Sequence, residues 1–414
     1  MRSRLLTLLI LFATFSLAHA APMIDLGIDT LRQSGFDKLQ GKRVGLLSHP
    51  AGVDKYGRPS WLVLQKAPQV NLVALFGPEH GIDGKAQANE KVGHATHGPT
   101  GLPAYSLYGE YRKPSPEMLA GLDVLVIDLQ DLGVRSYTYI SAMKYAMAAC
   151  FEQGIDVMVL DRPNPLGGLK VDGPGLDPEW MSYVGEFEVP YVYGMTIGEL
   201  AVMCKKKPGV LGVSEDVRRR GRLMVVPMKG WHRDMLWPQT GLKWVATSPA
   251  IPDLSAAMGY SMTGLGAYVG KWGHGVGTQY NFRMIYYPGR SPELVKRVME
   301  AYQIPGLGFQ VTEGENASGK KFPGVYLTVT DWDRLDPCAI SFYMMRLACQ
   351  WSPENPFVNI GDQRRGFLIH MGDPAWLEEL QTRGANARVE MFLERWKQQA
   401  EEFQRQSRAY WLYQ

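Results

Sequence analysis

Short apolar runs, each closed by a polar or glycine-rich turn, set the rhythm of the first half of the chain: RVGLLS at 43–48, NLVALF at 71–76, DVLVID at 123–128, DVMVLD at 156–161 and RLMVVP at 222–227. Their interiors are apolar at consecutive positions, with no polar alternation, which predicts strands covered on both faces, as in a parallel sheet. Helical patterns lie between them. SYTYISAMKYAMAACFEQG opens on Ser136 as an N-cap and closes on Gly154 as a C-cap, while the segment from Thr196 carries Glu199 at capping-box spacing and stops before Pro208. Strand, helix, strand at this spacing predicts an α/β fold: a Rossmann-like parallel-sheet domain over 22–245. Past it, GYSMTGLGAYVGKWGHGVGT is rich in glycine and aromatics, GVYLTVTD reads as a strand, and the segment from Ala375 is charged and helix-forming. A smaller mixed α/β auxiliary domain is expected over 246–414.

With 45% hydrophobic residues the chain can fill two cores, in keeping with two domains. Arg2 and Arg4 stand ahead of LLTLLILFATFSLA, and Ala18-His19-Ala20 supplies a small-x-small cleavage pattern, so residues 1–20 read as a cleaved export signal and the expected location is periplasmic or secreted. That run is too short for a permanent membrane helix and no later stretch is long and apolar enough, nor does a cysteine stand at the cleavage point, so no membrane anchor is expected. Removing Arg2 and Arg4 takes the formal charge from +3 to +1, which leaves no electrostatic reason to expect nucleic acid or anionic lipid as partner. The four cysteines are too dispersed for a disulfide scaffold. Cys338 and Cys349 share a helical pattern that separates them by about 16 Å, too far to pair. Cys150 with Cys204 remains open, with buried free thiols the favoured reading.

The carboxyl ends of parallel strands open on one edge, where ligands of such folds bind. Every loop expected there is loaded with reactive groups: His49 after the first strand, Glu79 and His80 in GPEHG after the second, Asp128, Gln130, Asp131 and Arg135 after the third, Asp161, Arg162 and Asn164 after the fourth. Aspartates and arginines in such loops often cap helices or pair with each other. Glu79 is different, because a glutamate gains nothing as a turn former between proline and histidine. No G-x-S-x-G elbow, no G-x-x-x-x-G-K-[ST] phosphate loop and no G-x-G-x-x-G after the first strand is present, which argues against a serine hydrolase, a nucleotidase and a nicotinamide dehydrogenase. His80, Asp83, His94 and His97 cluster in sequence, but HATH lacks the spacing of a zinc helix, so neither metal nor other cofactor is expected. Acid catalysis on a glycoside fits: Glu79 as the acid, a second group facing it, and aromatic faces for a sugar from Tyr137, Tyr139, Tyr183, Tyr193 or Trp231.

GLLSHPAGVD, LFGPEHGIDG, LVIDLQDLGVRSYTYI, LDRPNPLGGLKVDGP and VPYVYGMTIGELA occur in this order. Together they closely resemble the NamZ/YbbC-like exo-β-N-acetylmuramidases, glycoside hydrolase family 171, formerly a domain of unknown function. The resemblance spans nearly the whole mature chain. It implies a Rossmann-like catalytic domain with an auxiliary domain, and release of N-acetylmuramic acid from non-reducing ends of peptidoglycan fragments, a glycan or muropeptide partner that suits export. It makes Glu79 the leading acid, with His80 to orient it or to bond the sugar. The lactyl carboxylate of muramic acid calls for a fixed cation, for which Arg135 is the candidate. One departure stands out. Where the family reads Glu-Gly-Thr-Asn before Gly-Arg-Gly-Thr, this chain has AYVGKWGHGVGT, which aligns Tyr268 with the glutamate and Val276 with the arginine. Three alternatives follow: another carboxylate (Asp128, Asp131 or Asp161) serves, Tyr268 acts in its place, or this branch has changed substrate or lost catalysis. A non-catalytic sugar binder and a metal hydrolase built on His80, His94 and His97 are the competing functions.

Overall fold

The computed structural model describes residues 24–84 and 95–414. The export-signal segment and His94 lie outside the described residues. Seven strands form the main sheet: β1 (Arg43–Ser48), β2 (Asn71–Gly77), β3 (Ala95–Thr96), β4 (Pro103–Ser106), β5 (Val124–Asp128), β6 (Asp156–Leu160) and, after the short hairpin β7 (Val171–Asp172) and β8 (Val192–Tyr193), β9 (Leu223–Val226). The order is β3-β4-β2-β1-β5-β6-β9, parallel throughout except for the antiparallel β3 edge. The apolar runs become strands because both faces are covered. Leu125 and Ile127 of β5 enter the core shared with the helix Tyr139–Glu152, while Val124 and Val126 enter the core on the other face, with Leu31 of the helix Gly27–Gln33. Each such fully buried side chain contributes roughly 1.5–3 kcal/mol.

Chain order reverses at β1, which lies between β2 and β5, so the crevice at the carboxyl ends of these strands is the topological switch point. Ser48 pairs with Asp128 in register there, which sets the His49 and Gln130 loops side by side.

The second domain carries an antiparallel sheet of β10 (Met284–Ile285), β11 (Leu307–Glu315) and β12 (Lys321–Val329), covered by the helix Pro292–Ala301 and sharing its core with the helix Ala339–Trp351. Its core holds the helices Pro374–Arg383 and Val389–Ser407 through Trp376 and Trp396. The last residues strap back onto the first domain: the Leu412 amide donates to Glu199 at 2.9 Å, the Tyr413 hydroxyl donates to Asp161 at 2.6 Å, and the Arg233 guanidinium lies 3.5 Å from the centre of the Trp411 ring. No helix among the described residues is long and apolar enough to cross a membrane. All four cysteines are free and buried, so Cys150 and Cys204 do not pair.

The helix expected from Ser136 starts three residues later, at Tyr139, with Thr138 as its N-cap. The Ser136 hydroxyl is engaged instead with the hydroxyls of Tyr191 and Tyr260, each at 3.0 Å. The capping box at Thr196 and Glu199 forms as its spacing predicts.

At the join between the domains, Asp172 accepts the Cys338 backbone amide at 2.7 Å, and burial pushes its carboxyl up to about 6. The unfolded value is about 3.9. Between these pH values the folded chain holds a proton that the unfolded chain has released, so this group makes stability fall as pH rises through the window. Asp172→Asn removes the effect, and its stability gain at pH 7.5 should exceed its gain at pH 4 by up to roughly 3 kcal/mol. Denaturation midpoints at both pH values check this; an equal effect at both would contradict it.

Candidate active site

Glu79 stands on a turn that the sequence builds from glycine and a strained histidine. A side chain on Gly77 would come within 2.4 Å of the Ile82 backbone nitrogen, so the chain folds back tightly at the end of β2. The Gly81 amide closes the turn on the Pro78 carbonyl at 2.9 Å, and His80 holds φ +72°, a left-handed conformation uncommon outside glycine. Such strain in a loop on a rigid sheet marks functional positions.

Glu79 is half-buried, and its neighbours are hydroxyls. The Thr138 hydroxyl donates to Oε2 at 3.0 Å, so the N-cap side chain serves Glu79 and makes no cap hydrogen bond to its own helix. Tyr108, Tyr139, Tyr183 and Tyr260 all lie within the field of the Glu79 carboxylate. Burial, followed by the charge of Glu79, pushes the Tyr108 phenol up to about 12. Tyr137 packs on Tyr139 with ring centres 4.7 Å apart and stands 6.3 Å from Tyr260, which comes from the helix Leu254–Thr263. The carboxylate therefore lies among aromatics, of which Tyr137 and Tyr260 keep partial exposure, as does Thr138 beside them. At the rim, the exposed Arg112 guanidinium lies 4.6 Å from the Tyr183 ring centre.

Behind this ring, His49 is buried and packs edge-on against Tyr139 at 4.7 Å. Its Nε2 accepts the Gln130 backbone amide at 2.9 Å, and burial, with Arg162 adding, holds its pKa well below the ordinary histidine value. It is a neutral acceptor that fixes the β5 loop. The Gln130 side-chain amide donates to the carbonyls of Asp131 and Pro163, while its Oε1 is buried without a partner. Asp131 is also buried. A cavity of about 240 Å³ adjoins this edge, lined among others by Gln130, Arg162, Lys55, Trp237 and Leu242.

The remaining expected site residues have partners or surroundings of their own. Asp128 is gripped by Arg162, with Nε to Oδ1 at 2.5 Å and Nη2 to Oδ2 at 2.9 Å, and accepts the Ser60 hydroxyl as well. Both oxygens are taken, and the pair is a buried structural bridge. Arg162 adds a bond to the Val53 carbonyl at 2.5 Å. Asp161 accepts from the amides of Arg162 and Gly198 and from the hydroxyls of Thr196 and Tyr413, which makes it a helix cap and the anchor of the C-terminal strap. Asn164 spans the Met195 carbonyl and the Leu166 amide. Arg135 is fully buried and donates to four backbone carbonyls, of Pro174, Val189, His370 and Met371, so it is not free to read a carboxylate. Tyr193 and Trp231 are core residues. Tyr268 lies on the second domain, its ring 4.8 Å from that of His370, and Val276 is exposed. His97 pairs with Asp83 at 3.3 Å, and no group of three or more metal-ligating side chains occurs among the described residues.

Tyr108, Thr138 and Tyr260 escaped the sequence reading. Tyr260 is the instructive case, since it reaches Glu79 from the second domain, and only the docking of the helix Leu254–Thr263 could reveal it.

A doubly wound sheet with a hydroxyl-ringed carboxylate at its switch point, walled by aromatics, defines a carbohydrate-active α/β enzyme, and the chain is a glycoside hydrolase. It belongs to the exo-β-N-acetylmuramidase NamZ family: the N-terminal family profile matches residues 44–255 and the C-terminal profile residues 258–413. It is 35% identical, over 99% of its length and 98% of the relative's, to the peptidoglycan β-N-acetylmuramidase NamZ of Bacillus subtilis (strain 168). Among solved structures it is similar to a DUF1343 family protein of Bacteroides fragilis, with TM-score 0.84, 37% identity and coverage of 95% of this chain and 99% of that one. A second protein of that family and organism superposes with TM-score 0.70 at 25% identity, covering 94% and 99%.

Proposed function

We propose that the chain is exported, by cleavage after residue 20, and that it removes N-acetylmuramic acid one residue at a time from non-reducing ends of peptidoglycan fragments. The observation that carries this reading is Glu79, fixed by the Thr138 hydroxyl and bordered by Tyr108, Tyr139, Tyr183 and Tyr260. A carboxyl group at a closed, aromatic-walled edge is suited to give its proton to a glycosidic oxygen, and tyrosine rings suit the apolar faces of a pyranose. With Arg135 committed to backbone carbonyls, Arg112 is the cation at the rim placed to meet the lactyl carboxylate. The arginine and glutamate replaced by Val276 and Tyr268 make a catalytically silent sugar binder the second reading.

Product analysis tests the exo-acting claim. On peptidoglycan strands trimmed to expose a terminal N-acetylmuramic acid, chromatography should find that monosaccharide as the first sugar product, with the remaining strand shortened by one residue. Early release of internal oligosaccharides would contradict exo action, and no release with retained binding would favour the binder.

A further inference from the structure

A hydrolysis that starts with a proton from Glu79 still needs a group to activate the water. Among the aspartates of the switch-point loops, Asp128 and Asp161 have both oxygens occupied, by Arg162 and Ser60 in one case and by four donors in the other. Asp131 is built differently. Its Oδ2 accepts the Gly133 amide at 2.7 Å and the Tyr193 hydroxyl, which orients the carboxylate, while its Oδ1 is buried with no well-formed hydrogen bond, the adjacent Leu132 amide being the one further donor that acts on the group. A buried acceptor left short of donors is costly, and a fold retains one where a ligand or a water completes it.

The placement also fits. Glu79 follows β2 and Asp131 follows β5, with β1 between them, so two strand spacings, about 9.5 Å, separate the loops at their roots. Tyr260 feels both carboxylates, that of Glu79 more strongly than that of Asp131, and Tyr137, packed beside Tyr139, also feels Asp131. The two acids thus act on one set of tyrosines. Loops rooted that far apart suit the wider carboxyl spacing of inverting enzymes, about 6.5–9.5 Å, which leaves room for a water opposite the leaving group, better than the closer spacing of retaining ones.

We propose that Asp131 is the second catalytic carboxylate of this chain, the base that activates water through its Oδ1, and that hydrolysis inverts the anomeric centre. This inference rests on the proposed muramidase reading with Glu79 as acid. In the step, the water oxygen bonds to the anomeric carbon as its proton passes to Asp131. The bond from that carbon to the glycosidic oxygen breaks with its electrons going to oxygen, which takes the Glu79 proton and leaves as the alcohol. Solvent then returns the proton from Asp131 to Glu79. Burial pushes the Asp131 carboxyl up to about 6, which makes it a stronger base than an exposed aspartate while leaving it ionised at neutral pH.

Proton NMR of the wild-type reaction on a β-linked N-acetylmuraminide decides between stereochemical outcomes. The α anomer should appear first and the β anomer only through mutarotation; β first would overturn the inference while leaving the muramidase reading intact. Absence of any hydrolysis would overturn the muramidase reading itself, and this inference with it. Asp131→Asn keeps the shape and the acceptor for Gly133, and should lower kcat by roughly 10²–10⁴-fold with KM changed only a few-fold. A folded variant with near wild-type kcat would overturn the assignment, and if the variant does not fold the wild-type anomer decides alone.

Discussion

Glu79→Gln should lower kcat on a muraminide by 10²–10⁴-fold or more, with binding of the sugar and the melting temperature close to wild type. Glutamine preserves the acceptor for the Thr138 hydroxyl and the volume between the surrounding tyrosines, so the turn and its aromatic wall stay intact. What it loses is the proton for the leaving oxygen. The leaving group therefore matters. On an aryl glycoside whose phenolate departs without help, the deficit of Glu79→Gln should shrink sharply, whereas on a glycan substrate it should persist in full. Steady-state kinetics on both substrates, beside calorimetry of product binding, check this. An equal loss on both would point to damaged positioning, and wild-type turnover on the glycan would remove Glu79 from the mechanism.

The second large effect concerns stability. Arg135→Met should unfold the chain at markedly lower denaturant, losing several kcal/mol, because the guanidinium satisfies carbonyls from two distant regions: Pro174 and Val189 in the loops beside β7 and β8, His370 and Met371 at the end of the helix Gln363–Met371. Each buried carbonyl left without a donor costs about 1–3 kcal/mol, and the removed charge was already disfavoured by burial, which holds the Arg135 pKa down to about 10. Had Arg135 read the lactyl carboxylate, its loss would raise KM and spare the fold. Equilibrium unfolding separates the two outcomes: a melting temperature near wild type with a raised KM would restore the recognition role.

Arg135 also illustrates what a sequence can and cannot disclose. The strand expected at 43–48 and the capping box at Thr196 and Glu199 were legible because each depends on neighbours a few positions away. The strained GPEHG turn announced itself the same way, by residue types that make no sense as turn formers alone. Arg135 sits in an equally suggestive loop, yet its acceptors include carbonyls 235 and 236 positions away, and nothing local distinguishes a free cation from a staple. Asp128 and Arg162, 34 positions apart, fall to the same ambiguity, resolved only when β5 and β6 lie side by side. Thr138 falls unremarked in the first turn of the helix expected from Ser136, because its partner, Glu79, is 59 positions back. Asp131 differs from Asp161 by one oxygen without a well-formed hydrogen bond, a distinction that exists only in three dimensions.

Selectivity for N-acetylmuramic acid is tested by setting a chromogenic N-acetylmuraminide beside the N-acetylglucosaminide with the same leaving group. Release from the muraminide, at least 100-fold faster than from the glucosaminide, is the expected result. Equal rates on both would contradict recognition of the lactyl group, and silence on both with the sugar still bound would contradict catalysis altogether.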